Sequence, residues 1–156
     1  MFSLTRKVDY ALIALSELAD QAPQRVIARD IATRHEIPFP ILTNVLNQLV
    51  RSGLIASSRG MKGGYTLVRS AEIINMVDVI EAIEGAFRLT ACCVPPSENP
   101  GTYCNHFDRC RIVEPIHRVH ELIRDMLSQV TMADLAKNRM PLGLESLPAM
   151  LQRCDH

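Results

Sequence analysis

Between residues 54 and 68 the chain sets two short strand-like runs on either side of a glycine-rich tip. Leu54-Ile55-Ala56-Ser57-Ser58 comes first, Arg59-Gly60-Met61-Lys62-Gly63-Gly64 follows, and Tyr65-Thr66-Leu67-Val68 closes the unit. Gly60, Gly63 and Gly64 admit a tight reversal, so the segment predicts a β-hairpin. What precedes it narrows the fold further. Leu4, Val8, Ala11, Leu12, Leu15 and Leu18 recur at three- and four-residue spacing, one face of a helix with Ser3 or Thr5 as its cap, and Pro23 closes it off. Ile27 to His35 predicts a short second helix with Ile31 and Ala32 inward, and Ile37-Pro38-Phe39-Pro40 a turn. A third helix follows with Ile41, Leu42, Val45, Leu46 and Leu49 on its buried side, and Gly53 stops it. Three helices and then a glycine-tipped hairpin make the winged helix–turn–helix pattern, in a mainly α chain.

Asn75 is the expected cap of a fourth helix, with Asp78 as its capping-box partner and Gly85 as the stop. Residues 88–111 carry little apolar periodicity, and Pro95-Pro96-Ser97-Glu98-Asn99-Pro100-Gly101 is a loop by composition. Beyond it Ile112, Ile116, Val119, Ile123, Met126 and Val130 alternate four and three apart, an a/d stripe. Pro115 is tolerated in a first turn. An amphipathic helix packed on its own core would carry the same stripe; because the preceding domain already has a core, the stripe is expected to be a helix–helix dimer seam. Thr131 and Asp134 start one more short helix. The expected organisation is a DNA-binding domain over 1–87, a cysteine-bearing loop over 88–111, a dimerisation unit over 112–138 and a tail over 139–156 to which no pattern, and no role for Cys154, attaches.

Charge points to a polyanion. The chain is neutral overall, but residues 1–70 carry nine Lys/Arg against five Asp/Glu and residues 71–156 eight against twelve. In a helix–turn–helix the second helix of the motif enters the major groove of double-stranded DNA. Its polar face here is Thr43, Asn44, Asn47, Gln48 and Arg51; Asn and Gln pair bidentately with adenine and Thr meets a thymine methyl. In the wing, Arg59 and Lys62 bracket the tip, where an Arg can enter a narrow minor groove, and Gly63 and Gly64 permit close approach to phosphate. The absence of a Gly-Lys-Ser/Thr ending and of a helix opening from it argues against a nucleotide-cradling loop. No apolar run approaches the roughly 18 residues that span a bilayer, and the N-terminus lacks signal-peptide anatomy. The expectation is a soluble cytoplasmic protein with neither a membrane nor a small-molecule substrate as partner.

Four of the five cysteines, Cys92, Cys93, Cys104 and Cys110, fall within nineteen residues. Clustered thiols without an export signal point to metal or redox chemistry rather than a disulfide framework. Structural zinc favours Cys-x-x-Cys pairs, and there are none. Eleven residues separate Cys92 from Cys104 and five separate Cys104 from Cys110. Such long, uneven spacing suits a larger object held in a loop, an iron–sulfur cluster. Buried incidental cysteines or a regulatory thiol pair fit the same spacing.

The chain resembles the winged-helix iron–sulfur regulators typified by IscR, NsrR and RirA. The resemblance runs from Leu4 to about Lys137. It rests on Leu4-Thr5-Arg6-Lys7-Val8-Asp9-Tyr10-Ala11, on Arg59-Gly60 with Gly63-Gly64-Tyr65-Thr66-Leu67, on Val79-Ile80-Glu81-Ala82-Ile83-Glu84-Gly85, and on Val130-Thr131-Met132-Ala133-Asp134-Leu135 after the cysteines. Leu89-Thr90-Ala91-Cys92-Cys93 looks most like the subgroup that regulates the SUF iron–sulfur assembly operon. The resemblance implies a homodimer that binds an operator and holds one cluster, [2Fe-2S] or [4Fe-4S], per protomer. Its three cysteine ligands carry over to Cys92, Cys104 and Cys110, with Cys93 the alternative to Cys92. Two departures stand out. The gap between the first two cysteines is longer than is common in the family, and the position of the IscR-type histidine ligand is Val113 here. The NsrR-like alternative is an Asp in the first helix of the partner subunit, which Asp9 matches; His106 and His117 are lesser candidates.

No nucleophile–base–acid arrangement marks an enzyme. The expected function is a cluster-controlled repressor, of iron–sulfur assembly genes or responsive to nitric oxide. A thiol-switch or zinc-containing regulator without a cluster is the competing expectation, and the wing and polar helix argue against an electron-transfer protein.

Overall fold

A computed structural model describes residues 4–60, 63–93, 104 and 107–139. Lys62, His106, Ser3, the loop 95–101 and Cys154, singled out above, lie outside the described residues. In chain order the elements are α1 (Arg6–Asp20), α2 (Ala28–Arg34), α3 (Phe39–Arg51), β1 (Ile55–Ser58), β2 (Gly64–Leu67), α4 (Met76–Glu84), a 3-10 turn (Phe107–Arg109), α5 (Val113–Ser128) and α6 (Met132–Ala136). None of the described helices is long and apolar enough to cross a membrane.

The periodic stripes become the core. Val8, Ala11, Leu15 and Leu18 of α1 are buried, with Ala14 beside them. Ala11, Ala14, Leu15 and Leu18 form one core with Ile31 and Ala32 of α2 and Leu42, Val45, Leu46 and Leu49 of α3. Thr5 occupies the N-cap of α1, but its side chain makes no capping bond, and its amide donates to Glu84 Oε1 at 3.3 Å. Two expectations about α3 need correction. Phe39 and Pro40 belong to its first turn, not to the turn before it, because an amide is dispensable there. Ile41 is not inward: it is 41% exposed, since at about 100° per residue it falls outside the arc of Leu42, Val45, Leu46 and Leu49. Gly53 ends the helix with φ +74°, in the left-handed region open to glycine.

β1 and β2 pair antiparallel, Ile55 opposite Leu67 and Ser58 opposite Gly64. Tyr65 also exchanges backbone bonds with Val26, at 2.9 and 3.0 Å, which pins the wing to the α1–α2 connection. α4 opens as expected. The Asn75 side chain accepts from the Asp78 amide at 3.0 Å, the Asp78 carboxylate accepts from the Asn75 amide at 3.1 Å, and Gly85 follows the last turn with φ +84°. Thr131 and Asp134 repeat this box at α6.

The last two helices part company. α6 is sewn into the core of residues 1–87: the Met132 amide donates to Ile74 O at 2.8 Å, the Met76 amide to Val130 O at 2.9 Å, and the Met132 side chain is fully buried. α5 lies on a separate small cluster of Val8, Ile80 and Phe87, to which Ile123 and Leu127 are packed. Arg124 pairs with Glu81 of α4 at 3.1 Å, and His120 is buried against Phe87. The apolar stripe of α5 is thereby divided. Ile123 faces its own chain. Val119 and Leu122, 44% and 70% exposed, face outward, and Leu122 is not in the expected a/d set.

Candidate DNA-binding face and cysteine centre

Asn44, Asn47 and Arg51 lie exposed along the face of α3 opposite its buried arc. Thr43 and Gln48 flank it, half-buried. The Thr43 hydroxyl donates back to Phe39 O at 2.8 Å, leaving its methyl and oxygen lone pairs for a ligand. Gln48 Oε1 is buried with no hydrogen-bond partner among the described residues, so this side chain is turned partly toward the protein. Sequence reasoning missed Phe39, which is exposed at the first turn with the Arg29 guanidinium 5.7 Å from its ring centroid. The signal was the Pro at the second helical position, which marks where α3 begins.

In the wing Arg59 is exposed and makes no ion pair among the described residues. The glycines beside it have a role in the fold itself. A Cβ on Gly63 would stand 2.6 Å from Ser58 O and 2.9 Å from Gly60 O; one on Gly64 would stand 2.8 Å from Val26 O. Their close approaches are to their own backbone.

The cysteines gather around the first half of α5. The Cys93 amide donates to Thr90 O at 3.1 Å, closing a turn. Thr90 Oγ1 lies 3.0 Å from Cys92 Sγ and 3.3 Å from Cys93 Sγ. His117 Nε2 donates to the Cys92 carbonyl at 2.6 Å. The Phe107 ring, edge-on to His117 at 6.4 Å, belongs to the turn whose backbone joins Cys104 O to the Phe107 amide (3.1 Å) and Phe107 O to the Cys110 amide (3.4 Å). His117 is therefore the residue on which both cysteine segments converge. Cys92 Sγ, Cys93 Sγ and a His117 ring nitrogen lie within 4.8 Å of one another, and neither Cys104 nor Cys110 joins that trio. All four thiols are free and half-buried. Asp9 is exposed in the first turn of α1, next to Val8, which lies in the cluster beneath α5.

A helix–turn–helix with a pinned wing and an exposed polar recognition face defines a transcriptional regulator. The family model of Rrf2, described as an iron-dependent transcriptional regulator, matches residues 4–138, and the chain belongs to that family. It is 31% identical over 136 residues to an rrf2-like HTH-type transcriptional regulator of Rhodobacter capsulatus, covering 85% of this chain and 91% of that one. It is 31% identical over 137 residues, 87% and 79% of the two chains, to the HTH-type transcriptional regulator IscR of Erwinia tasmaniensis. Among solved structures it is similar to CymR, the global cysteine regulator of B. subtilis, with a TM-score of 0.68 and 25% identity over 90% of this chain and 100% of that one. These are regulators of transcription, and the chain is not an enzyme.

Proposed function

We propose that the chain is a dimeric repressor whose operator affinity is set by an iron–sulfur cluster, controlling genes of iron–sulfur assembly. The observation that carries this reading is the 2.6 Å bond from His117 to the Cys92 carbonyl, which couples the cysteine segment to α5. Four free, half-buried thiols are a soft donor set that suits such a cluster. Cys92, or Cys93 in its place, with Cys104 and Cys110 would hold it, and Asp9 of the second subunit would complete the set. When bound, the cluster supplies a redox-active iron centre open to oxygen or nitric oxide.

The chain's own part is mechanical. The second subunit covers the outward face of α5, centred on Val119, Leu122 and Met126, with Ile116 and Ile123 at its inner margin and Val130 at its end. Holding the cysteine ligands against His117 fixes α5, and α5 rests on Val8 and Ile80 of the DNA-binding domain. The spacing of the two recognition helices then follows the state of the cysteine segment, and half-site spacing is what a two-fold operator reads. Affinity changes only by the difference in cluster binding between the two dimer geometries. Asn44, Asn47, Thr43 and Gln48 contact bases; Arg51, Arg59 and Lys62, with the Gly63–Gly64 backbone, contact the phosphates and minor groove.

An anaerobic absorption spectrum with iron and sulfide analysis tests the cluster. Operator titrations of cluster-loaded, cluster-free and Cys104→Ala proteins test the coupling. Tight binding by the loaded protein alone is expected; equal affinities for all three would falsify cluster-gated repression.

A further inference from the structure

Cys92 and Cys93 are neighbours in sequence, and neighbouring side chains in an extended chain point apart. Here the 90–93 turn brings them to one place, and a single hydroxyl, Thr90 Oγ1, reaches both sulfurs at 3.0 and 3.3 Å. His117 arrives from α5 to complete a trio within 4.8 Å. A carbonyl oxygen only accepts, so the Nε2 bonded to Cys92 O carries the ring proton and the neutral imidazole keeps its lone pair on Nδ1. An imidazole anchored through one nitrogen to a backbone carbonyl is the arrangement found at metal-bound histidines.

We propose that Cys92, Cys93 and His117 form a soft-metal site of their own, taking a thiophilic divalent ion such as zinc. Two thiolates and one imidazole match the N/S donors of tetrahedral zinc, with the fourth position left to water. Zn–S near 2.3 Å and Zn–N near 2.0 Å put these donor atoms roughly 3.5–3.8 Å apart, so rotations of these half-exposed side chains close the site. Binding displaces the thiol protons to solvent. Thr90 steadies the thiolates from the outer shell, and the Cys92 carbonyl steadies the histidine. The ligand set differs from the three-cysteine set proposed for the cluster but shares Cys92, so the ion and the cluster exclude one another. Only that competition rests on the cluster reading; the site does not.

The test is a cobalt(II) titration of the full-length, cluster-free, reduced protein under anaerobic conditions, followed by displacement with zinc. One cobalt per protomer is expected, with thiolate-to-cobalt absorption. Cys93→Ala, Cys93→Ser, His117→Ala and His117→Asn should each weaken it by at least about a hundredfold, and Thr90→Val by roughly ten- to a hundredfold. Cys104→Ala and Cys110→Ala should leave cobalt binding unchanged while abolishing cluster reconstitution. Wild-type protein without the thiolate band overturns the site, as does cobalt binding lost equally in Cys104→Ala, or retained in both His117 variants. A protein that takes a cluster but no cobalt refutes this inference alone. One that binds cobalt but never reconstitutes a cluster refutes the cluster reading alone.

Discussion

His120 lies flat against Phe87, ring centroids 5.3 Å apart and planes within 14° of parallel. The imidazole is 4% exposed and its Nδ1 has no hydrogen-bond partner among the described residues. Burial pushes its pKa below the ordinary 6.5, opposed by Glu121 and reinforced by Arg124 and His117. The folded state therefore prefers the neutral ring, and the unfolded chain binds the extra proton first. The stability from this group is fully present above about pH 6.5 and falls as pH drops from there toward the lower folded value. Urea midpoints of metal-free protein from pH 8 to 5 should decline through this window, and His120→Leu should flatten that part of the profile.

The two sides of α5 should respond differently to substitution. Leu122→Glu and Val119→Glu alter exposed side chains, so each should leave the monomer folded and abolish the dimer in light scattering. Ile123→Ala acts on the cluster with Val8, Ile80 and Phe87. It should cost about 2 kcal/mol of unfolding free energy, the low end for a buried isoleucine because Ile123 is only half-buried. A Leu122→Glu protein that still runs as a dimer places the seam elsewhere.

Contacts to DNA should separate into two kinds. Arg59→Ala should weaken operator and non-operator binding alike and reduce the salt slope by about 1. Asn44→Ala should relax preference at one base pair by roughly 1–3 kcal/mol. Binding isotherms across salt concentrations, on the operator and single-base variants, distinguish them. Unchanged base preference in Asn44→Ala removes that residue from direct readout.

Gly64→Ala tests the wing as structure. The added methyl meets the Val26 carbonyl at 2.8 Å, against backbone that cannot rotate away. The Val26–Tyr65 bridge should open, at a cost of about 1–3 kcal/mol, with faster amide exchange at Val26 and Tyr65. A thermal midpoint equal to wild type would mean that the wing shifts without loss.

Local rules were legible in the chain itself. The inward stripe of α1, the buried arc of α3, and the Asn75–Asp78 and Thr131–Asp134 boxes depend on spacings of four residues or fewer, and the hairpin pairs residues no more than twelve apart around a glycine-rich tip, so sequence alone determines them. The cysteines were legible as a soft donor set from their clustering, four within nineteen residues. Which distant residue their segment meets was not. His117 joins Cys92 across 25 residues, and that meeting exists only once α5 has docked on Phe87, Ile80 and Val8. Periodicity could show that α5 has an apolar stripe, but not which half of it the chain covers itself, because that depends on what the fold places beside it. Gly64 reads as turn chemistry until Val26 is brought against it, and α6 reads as an appendage until Met132 fills the space beside Ile74. In each case the deciding contact lies far along the chain, where tertiary packing rather than local preference sets the energy.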